Sequence, residues 1–492
     1  MLYFSTRNEK NKVTAAEAIS RGLAPDGGLF VPETLPRLTL GDIKEIGKKD
    51  YRGRAFNIMK LFLDEFTDDE LRGMIAKAYS DNFDSADTAP VHFVDDKTAV
   101  LELWHGPTCA FKDMALQMLP HLLTASLKKC GEQRKVCILV ATSGDTGKAA
   151  LEGFADVENT RILVFYPHNG VSDVQKLQMI TQTGDNVSVA AVRGNFDDAQ
   201  TGVKKIFADK AFDEKLSENG WFLSSANSIN WGRLLPQIVY YFSAYCDFAN
   251  SGRVNYGDKV DFAVPTGNFG NILACWYAKN MGLPVGKLIC ASNQNNVLAD
   301  FFGNGVYDRN RTFYTTISPS MDILVSSNLE RLLYSVCKND AEVAGYMKEL
   351  SESGKYEVSD AIKSVIGDNF VGGYCSDADT KAVIGKVCAE NGYLMDTHTA
   401  VAFKKVLDYR AENAAVPTVV VSTASPYKFC DSVLEALGQE TVGSGTQLIE
   451  KLSDFTKTSV PKPLAGLDKR EKRFSLVTDK DDMKKIVAEF LL

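Results

Sequence analysis

From about residue 97 onward the chain repeats one unit: a short β-branched run, a Gly- or Thr-rich turn, then a segment long enough for a helix. The runs lie at 136–140, 161–166, 187–192, 260–264, 287–291 and 417–421. Strands separated by helix-length crossovers pair in parallel, because a tight turn joins only antiparallel neighbours. The expected fold class is therefore α/β, with mostly parallel open sheets and helices on both faces. A chain of 492 residues exceeds what one hydrophobic core serves, so at least two lobes are expected.

The first 90 or so residues lack the alternation. Apolar spacing near 3.6 predicts helices over 15–24, 51–66 and 68–79, with Pro25-Asp26-Gly27-Gly28 as a turn. The polar stretch 250–258 reads as a junction between lobes. Beyond residue 440, Gly443-Ser444-Gly445, Pro461, Pro463 and the charged run 469–473 predict an extension over the surface. The expected division is 1–95, a helix-rich region; 96–255, an α/β lobe carrying a reactive lysine and anion-binding turns; 256–440, an α/β lobe carrying a glycine-rich phosphate turn; and 441–492, a C-terminal extension.

A formal charge of −8 argues against a nucleic-acid or anionic-membrane surface, since both call for a strong basic patch. No apolar stretch approaches ~20 residues and the first residues are too polar for a signal peptide, so neither membrane span nor export is expected. The ten cysteines show no C-x-x-C pair, which points to reduced thiols in a cytoplasm and to no metal site. A small-molecule ligand, and a monomer or homodimer, are the expected partners.

The segment Trp104-His105-Gly106-Pro107-Thr108-Cys109-Ala110-Phe111-Lys112-Asp113 sets one lysine just past a Gly-Pro break, at the mouth of an apolar run. Burial lowers the proton affinity of such an amine and makes it a nucleophile and base. Cys109 with His105 is the competing thiol–imidazole reading, without an identifiable orienting third group. Three turns, at Ser143-Gly144-Asp145-Thr146-Gly147, Gly267-Asn268-Phe269-Gly270-Asn271 and Ser422-Thr423-Ala424-Ser425-Pro426, follow β-branched runs and open helices. Helix starts present free N–H groups and a positive dipole end to anions. The Gly267 turn is the candidate phosphate cup. The Ser143 turn has Thr142 and Ala149 where a P-loop needs Gly and Ser or Thr, so it is a candidate for a second anion instead. Asn227-Ser228-Ile229-Asn230-Trp231-Gly232-Arg233 is a further polar helix entry, ending in an arginine suited to bidentate phosphate recognition. Each of these also has a bland reading as an ordinary turn or cap. His92, His121, His168 and His398 have only that reading, as packing or capping residues.

Together, the 105–113 segment, the Ser143 turn, the 227–233 segment, the 267–271 loop and Thr423-Ala424-Ser425-Pro426-Tyr427-Lys428-Phe429 resemble threonine synthases of the longer bacterial and fungal type. Tyr3-Phe4-Ser5-Thr6-Arg7 and the 22–30 stretch are similar to that family too, and the likeness runs in order to at least Leu437. The resemblance implies a fold type II pyridoxal 5'-phosphate enzyme that turns O-phospho-L-homoserine and water into L-threonine and phosphate. It implies that Lys112 carries the cofactor as a Schiff base, that Gly267, Asn268, Phe269, Gly270 and Asn271 bind its phosphate, and that Thr423 meets its ring nitrogen. Ser143, Asp145, Thr146, Asn227, Ser228 and Arg233 are then the candidates for substrate carboxylate and phosphate. Asp145 is itself an anion, so it is expected to orient a neighbouring donor or to face the cofactor's phenolic oxygen. The alternatives are a serine or threonine dehydratase or phospho-amino-acid lyase using the same cofactor, and a non-catalytic phospho-ligand binding protein on the same scaffold.

Overall fold

The structure is a computed structural model that describes residues 1–142, 144–169, 171–414 and 416–492. Two parallel sheets dominate it, as the alternation predicts. The larger runs in the order Phe370–Tyr374, Val285–Ser292, Val260–Pro265, Thr418–Ser422, Thr98–Glu102, Val91–Phe93, and only the last pair is antiparallel. The smaller runs Val477–Asp479, Val187–Arg193, Thr160–Pro167, Lys135–Ala141, Trp221–Ser224, with every pair parallel.

Both faces of each sheet are buried, which is why the strands read as continuous apolar runs. Phe262 and Val264 pack into the core shared by the two sheets, whereas Ala263 between them joins the outer core of the larger sheet. In the smaller sheet Val136, Ile138 and Val140 face the shared core and Cys137 and Leu139 the outer one. The helix Trp231–Asn250 is buried around almost its whole circumference, exposing only Asn250 and part of Asp247. Its all-round apolarity suits a helix enclosed within this shared core.

The N-terminal region is helix-rich as expected, and Tyr3–Ser5, Asn8–Val13 and Phe30–Pro32 add an antiparallel sheet that was not foreseen. Three-residue strands are too short to display a period of two. The helix expected over 51–66 stops at Met59, and the helix Leu40–Gly47 was not foreseen. The segment after 440 is not a surface extension, because Val477–Asp479 becomes an edge strand of the smaller sheet and the helix Met483–Leu491 buries Met483, Val487 and Leu491 in its outer core. Strand membership also departs from the expected order of segments. Thr98–Glu102, which leads to Lys112, pairs with Thr418–Ser422 in the larger sheet rather than with the strands that follow it.

The N-terminal sheet is tied to the rest by charge. Arg7 donates to both carboxylate oxygens of buried Glu330, at 2.9 and 2.8 Å, and the Thr6 hydroxyl donates to the same carboxylate. Buried Arg331 next to it donates to the carbonyls of Phe30 and Ile229 and to Asn328 Oδ1, which joins three distant segments. No helix of the described residues is long and apolar enough to cross a membrane.

Candidate active site

Loops at the carboxyl ends of parallel strands form the natural ligand crevice of such folds. Here the loops after Thr98–Glu102, Val260–Pro265 and Thr418–Ser422 in the larger sheet meet the helix Asp145–Phe154, which follows Lys135–Ala141 in the smaller one.

Lys112 immediately precedes the short helix Asp113–Leu116. Its loop is stitched to the loop after Ser422: Phe111 N donates to Thr423 O at 2.8 Å, Ser425 N to Cys109 O at 3.1 Å, and Ala110 bridges Ala424. A Cβ on Gly106 would come within 2.6 Å of the Asp113 side chain, so the Gly-Pro break lets the loop close over this buried carboxylate. Asp113 accepts from Thr108 N and Thr108 Oγ1 at 2.8 and 2.6 Å, yet burial outweighs these bonds and raises its pKa to about 6. Burial likewise lowers the Lys112 amine to about 8; Asp145 opposes the shift, and Lys428 and Arg233 reinforce it. The amine is thus partly uncharged near neutrality.

Asp145 is buried and ion-paired to the fully buried Lys428 at 2.6 Å, and it accepts from Gln175 Nε2 at 2.9 Å. Burial alone would raise its pKa, but Lys428 and Lys112 hold it well below the usual carboxylate range. Lys428 also donates to Thr108 O at 3.0 Å, so this pair joins the loop that carries Lys112 to the start of the helix Asp145–Phe154. Asp145 is thereby engaged by two neighbouring donors, Lys428 and Gln175.

Arg233 is buried in the first turn of Trp231–Asn250. Its Nη1 donates to Ala226 O at 2.7 Å, its Nε has no partner, and no carboxylate pairs with it among the described residues. Burial lowers its pKa to about 10. A guanidinium desolvated without a counter-ion is costly, and the natural relief is an anionic ligand.

The Gly267 loop ends at Phe269, which has a left-handed φ of 65°, and opens the helix Gly270–Asn280 with no side-chain cap. A Cβ on Gly267 would lie 2.6 Å from Ser320 O, so the backbone approach requires glycine. Asn271 Oδ1 accepts from the hydroxyls of Tyr240 and Tyr241, which leaves its buried Nδ2 without a partner. An uncapped helix start, a glycine cradle and orphaned donors at Asn271 and Arg233 fit two anionic groups, such as a cofactor phosphate and a substrate phosphate.

The expected residues are brought together unevenly. Lys112 lies within the electrostatic reach of both Asp145 and Arg233. Thr423 is buried beside the Lys112 loop, and Asn268 meets Ser228 through Asn328, whose Nδ2 donates to the carbonyls of both. Thr146 is half-buried in the first turn of its helix. Asn227 is exposed and its side chain serves its own turn, accepting from Ile229 N at 3.2 Å. Ser143 lies outside the described residues. The His105–Cys109 reading is overturned, because His105 is engaged at both ring nitrogens, by Asp84 at 2.6 Å and Glu102 at 2.8 Å, while burial pushes the Cys109 thiol far up. The packing reading of His398 is replaced, since its ring bonds both Asp396 and the backbone of Ser320. Lys428, Ser320 and Asn328 were missed as well. Lys428 stood inside the quoted 423–429 stretch, whereas no local pattern marks the other two.

The Lys112 amine and the glycine-opened helix start are linked through the turn at Ser320, which bonds the amine and packs on Gly267. The chain matches the family model described as pyridoxal-phosphate dependent enzyme over residues 98–424. Narrower models flank it, threonine synthase N terminus over 2–79 and threonine synthase, C-terminal over 399–487. The chain belongs to the threonine synthase family. It is 40% identical over 479 residues to the threonine synthase of Pseudomonas aeruginosa, a match covering 97% of this chain and 96% of that one. The human protein named threonine synthase-like 1 is 42% identical over 443 residues, but the match spans 87% of this chain and only 59% of the relative. The solved threonine synthase from Brucella melitensis, described as PLP bound, has a TM-score of 0.89 and 38% identity, covering 100% of this chain and 98% of that one.

Proposed function

We propose that the chain converts O-phospho-L-homoserine and water into L-threonine and phosphate, with pyridoxal 5'-phosphate held by Lys112. The observation that carries the reading is the unpaired, buried guanidinium of Arg233 beside the near-neutral amine of Lys112. When bound, the pyridoxal ring supplies an electron sink next to the substrate's amine-bearing carbon. Main-chain amides of Gly267, Asn268, Phe269, Gly270 and Asn271 would hold the cofactor phosphate, and Thr423 would serve the ring nitrogen as a neutral partner. Lys112, once free, takes a proton from the α-carbon and moves one at the β-carbon, for which a pKa of about 8 suits it.

Arg233 holds the substrate's γ-phosphate, the group that leaves. Ser143, Thr146, Asn227 and Ser228 supply polar contacts to the substrate's two anionic ends, and Asp145 keeps Lys428 and Gln175 in place around them. A dehydratase has no γ-phosphate to hold and no use for a second buried cation. All ten cysteines are free, and a reducing cytoplasm is the setting proposed on that ground.

The test is incubation of the purified protein with pyridoxal phosphate and O-phospho-L-homoserine. Stoichiometric phosphate and threonine support the reading; ammonia and a 2-oxo acid would replace it with a dehydratase or lyase. A protein that stays colourless with pyridoxal phosphate would favour a binding protein.

A further inference from the structure

The hydrogen-bond partner of the Lys112 amine comes from a segment that the reaction as proposed does not use. Lys112 Nζ donates to Ser320 Oγ at 3.3 Å. Ser320 sits in the single 3₁₀ turn Pro319–Met321, between the strand Val306–Asp308 and the helix Leu329–Cys337.

This turn is braced from three sides. Asp322 accepts from Asn293 Nδ2, Asn295 Nδ2, Thr316 Oγ1 and Thr316 N, at 2.7 to 3.0 Å. The Thr397 hydroxyl donates to Ile317 O at 2.7 Å. Ser320 N donates to His398 Nε2 at 3.2 Å, and His398 Nδ1 meets Asp396 Oδ1 at 2.8 Å. A backbone N–H only donates, so His398 Nε2 must be the acceptor and its proton must lie on Nδ1, directed at Asp396. The neutral tautomer is thereby set by its two partners. His398 is 2% exposed and Asp396 fully buried, and the Phe429 ring stands edge-on to the imidazole at 4.9 Å. The result is a line of bonds from buried Asp396 and His398 through half-buried Ser320 to the amine of Lys112.

We propose that Ser320 is a catalytic residue of the Lys112 centre: its hydroxyl takes one Nζ–H and so aims the amine's lone pair into the cleft, while His398 and Asp396 are positioning residues that hold the turn carrying it. A primary amine turns freely about its last C–C bond, and fixing one N–H removes that freedom at the atom that moves protons. The packing of Ser320 O against Gly267 links this turn to the phosphate cup, so amine and cup are registered by one element. The proposal rests on the reading of Lys112 as the reactive amine.

The charged groups facing Lys112 are Asp145, Lys428, Arg233 and Asp113, and those facing His398 are Asp396 and Asp322. Ser320→Ala and Ser320→Thr alter none of them. The test is reductive methylation of the full-length, cofactor-free protein across pH, with the extent at Lys112 read by peptide mass spectrometry. Losing an acceptor weakens the ammonium form, so the Ser320→Ala midpoint should fall by about one pH unit, Ser320→Thr should restore it, and kcat of the loaded enzyme should fall by at least about tenfold with KM little changed. His398→Leu should move the midpoint in the same direction; His398→Gln, whose amide oxygen can still accept from Ser320 N, should not. If His398→Leu does not fold, the Ser320 pair decides. A Ser320→Ala midpoint equal to that of the wild type, with or without loss of activity, overturns the proposal. Borohydride reduction of the loaded wild type tests the underlying reading separately: label on another lysine refutes Lys112 itself.

Discussion

Arg233 and Lys428 are two buried cations within the electrostatic reach of one amine, and they differ in what balances them. Lys428 has Asp145; Arg233 has a single carbonyl contact. Removing Arg233 therefore relieves the free protein of an uncompensated charge while stripping the substrate phosphate of its partner. Arg233→Ala should leave the melting temperature unchanged or raised and lower kcat/KM for phosphohomoserine by the ~1.5–3 kcal/mol of a charged hydrogen bond, roughly ten- to hundredfold. Steady-state kinetics beside a thermal melt check both halves. Lys428→Met removes a charge together with the bonds to Asp145 and Thr108 O. It deletes a cation that depresses the Lys112 amine and leaves Asp145, which raises it, unneutralised. The rising limb of the kcat profile, set by the amine once substrate has freed it, should move to higher pH; an unmoved limb would take Lys428 out of the Lys112 field.

At the scale of elements, the Gly267 loop and the 3₁₀ turn behind it form one fitted pair. Gly267→Ala puts a methyl 2.6 Å from Ser320 O, a backbone atom that cannot rotate aside, so the turn must shift at a cost of ~1–3 kcal/mol. Equilibrium titration with pyridoxal phosphate should show weakened binding, with the overall helix content kept. These contacts also show what was legible in the sequence. The apolar runs at 136–140, 260–264 and 417–421 announced their strands because both sheet faces are buried there. The lysine and glycine turns were visible because their chemistry is local: a break, a helix start, a small residue. Phe370–Tyr374 was not foreseen, since Gly372 and Gly373 interrupt it. Ser320 was not foreseen either, because its partners His398 and Lys112 sit on other segments and only the fold makes them neighbours. The same holds for Glu330, whose partner Arg7 lies near the other end of the chain.

For the whole molecule, the end of the chain is structural. Val477–Asp479 extends the smaller sheet, and Met483, Val487 and Leu491 are each worth ~1.5–3 kcal/mol of burial, together a large share of the ~5–15 kcal/mol that usually holds a domain. Deleting residues 476–492 should lower the melting temperature sharply and expose the smaller sheet to hydrogen exchange first, while the larger sheet stays protected longer. The Asp145–Lys428 pair and the bond from Gln178 Nε2 to Thr108 O tie segments of the smaller-sheet lobe to the loops of the larger sheet around Lys112. Water must reach the β-carbon late and not early, which favours closure on substrate. Small-angle scattering should show a smaller radius of gyration with a phosphonate analogue; identical curves would count against closure.

Thr98–Glu102 pairs on one side with Val91–Phe93 and on the other with Thr418–Ser422, so its second neighbour is made only after the rest of the larger sheet and most of the smaller one. At ordinary ribosomal speeds of about 5–20 residues per second, that apolar ribbon waits for tens of seconds with one side bare. Meanwhile 135–224 emerges in order and can assemble the three central strands and one edge strand of the smaller sheet at once. The nascent protein is thus born from its middle outward, and its greatest exposure to chaperones, or to misassociation with a neighbouring polysome product, falls in the interval before the final third leaves the tunnel.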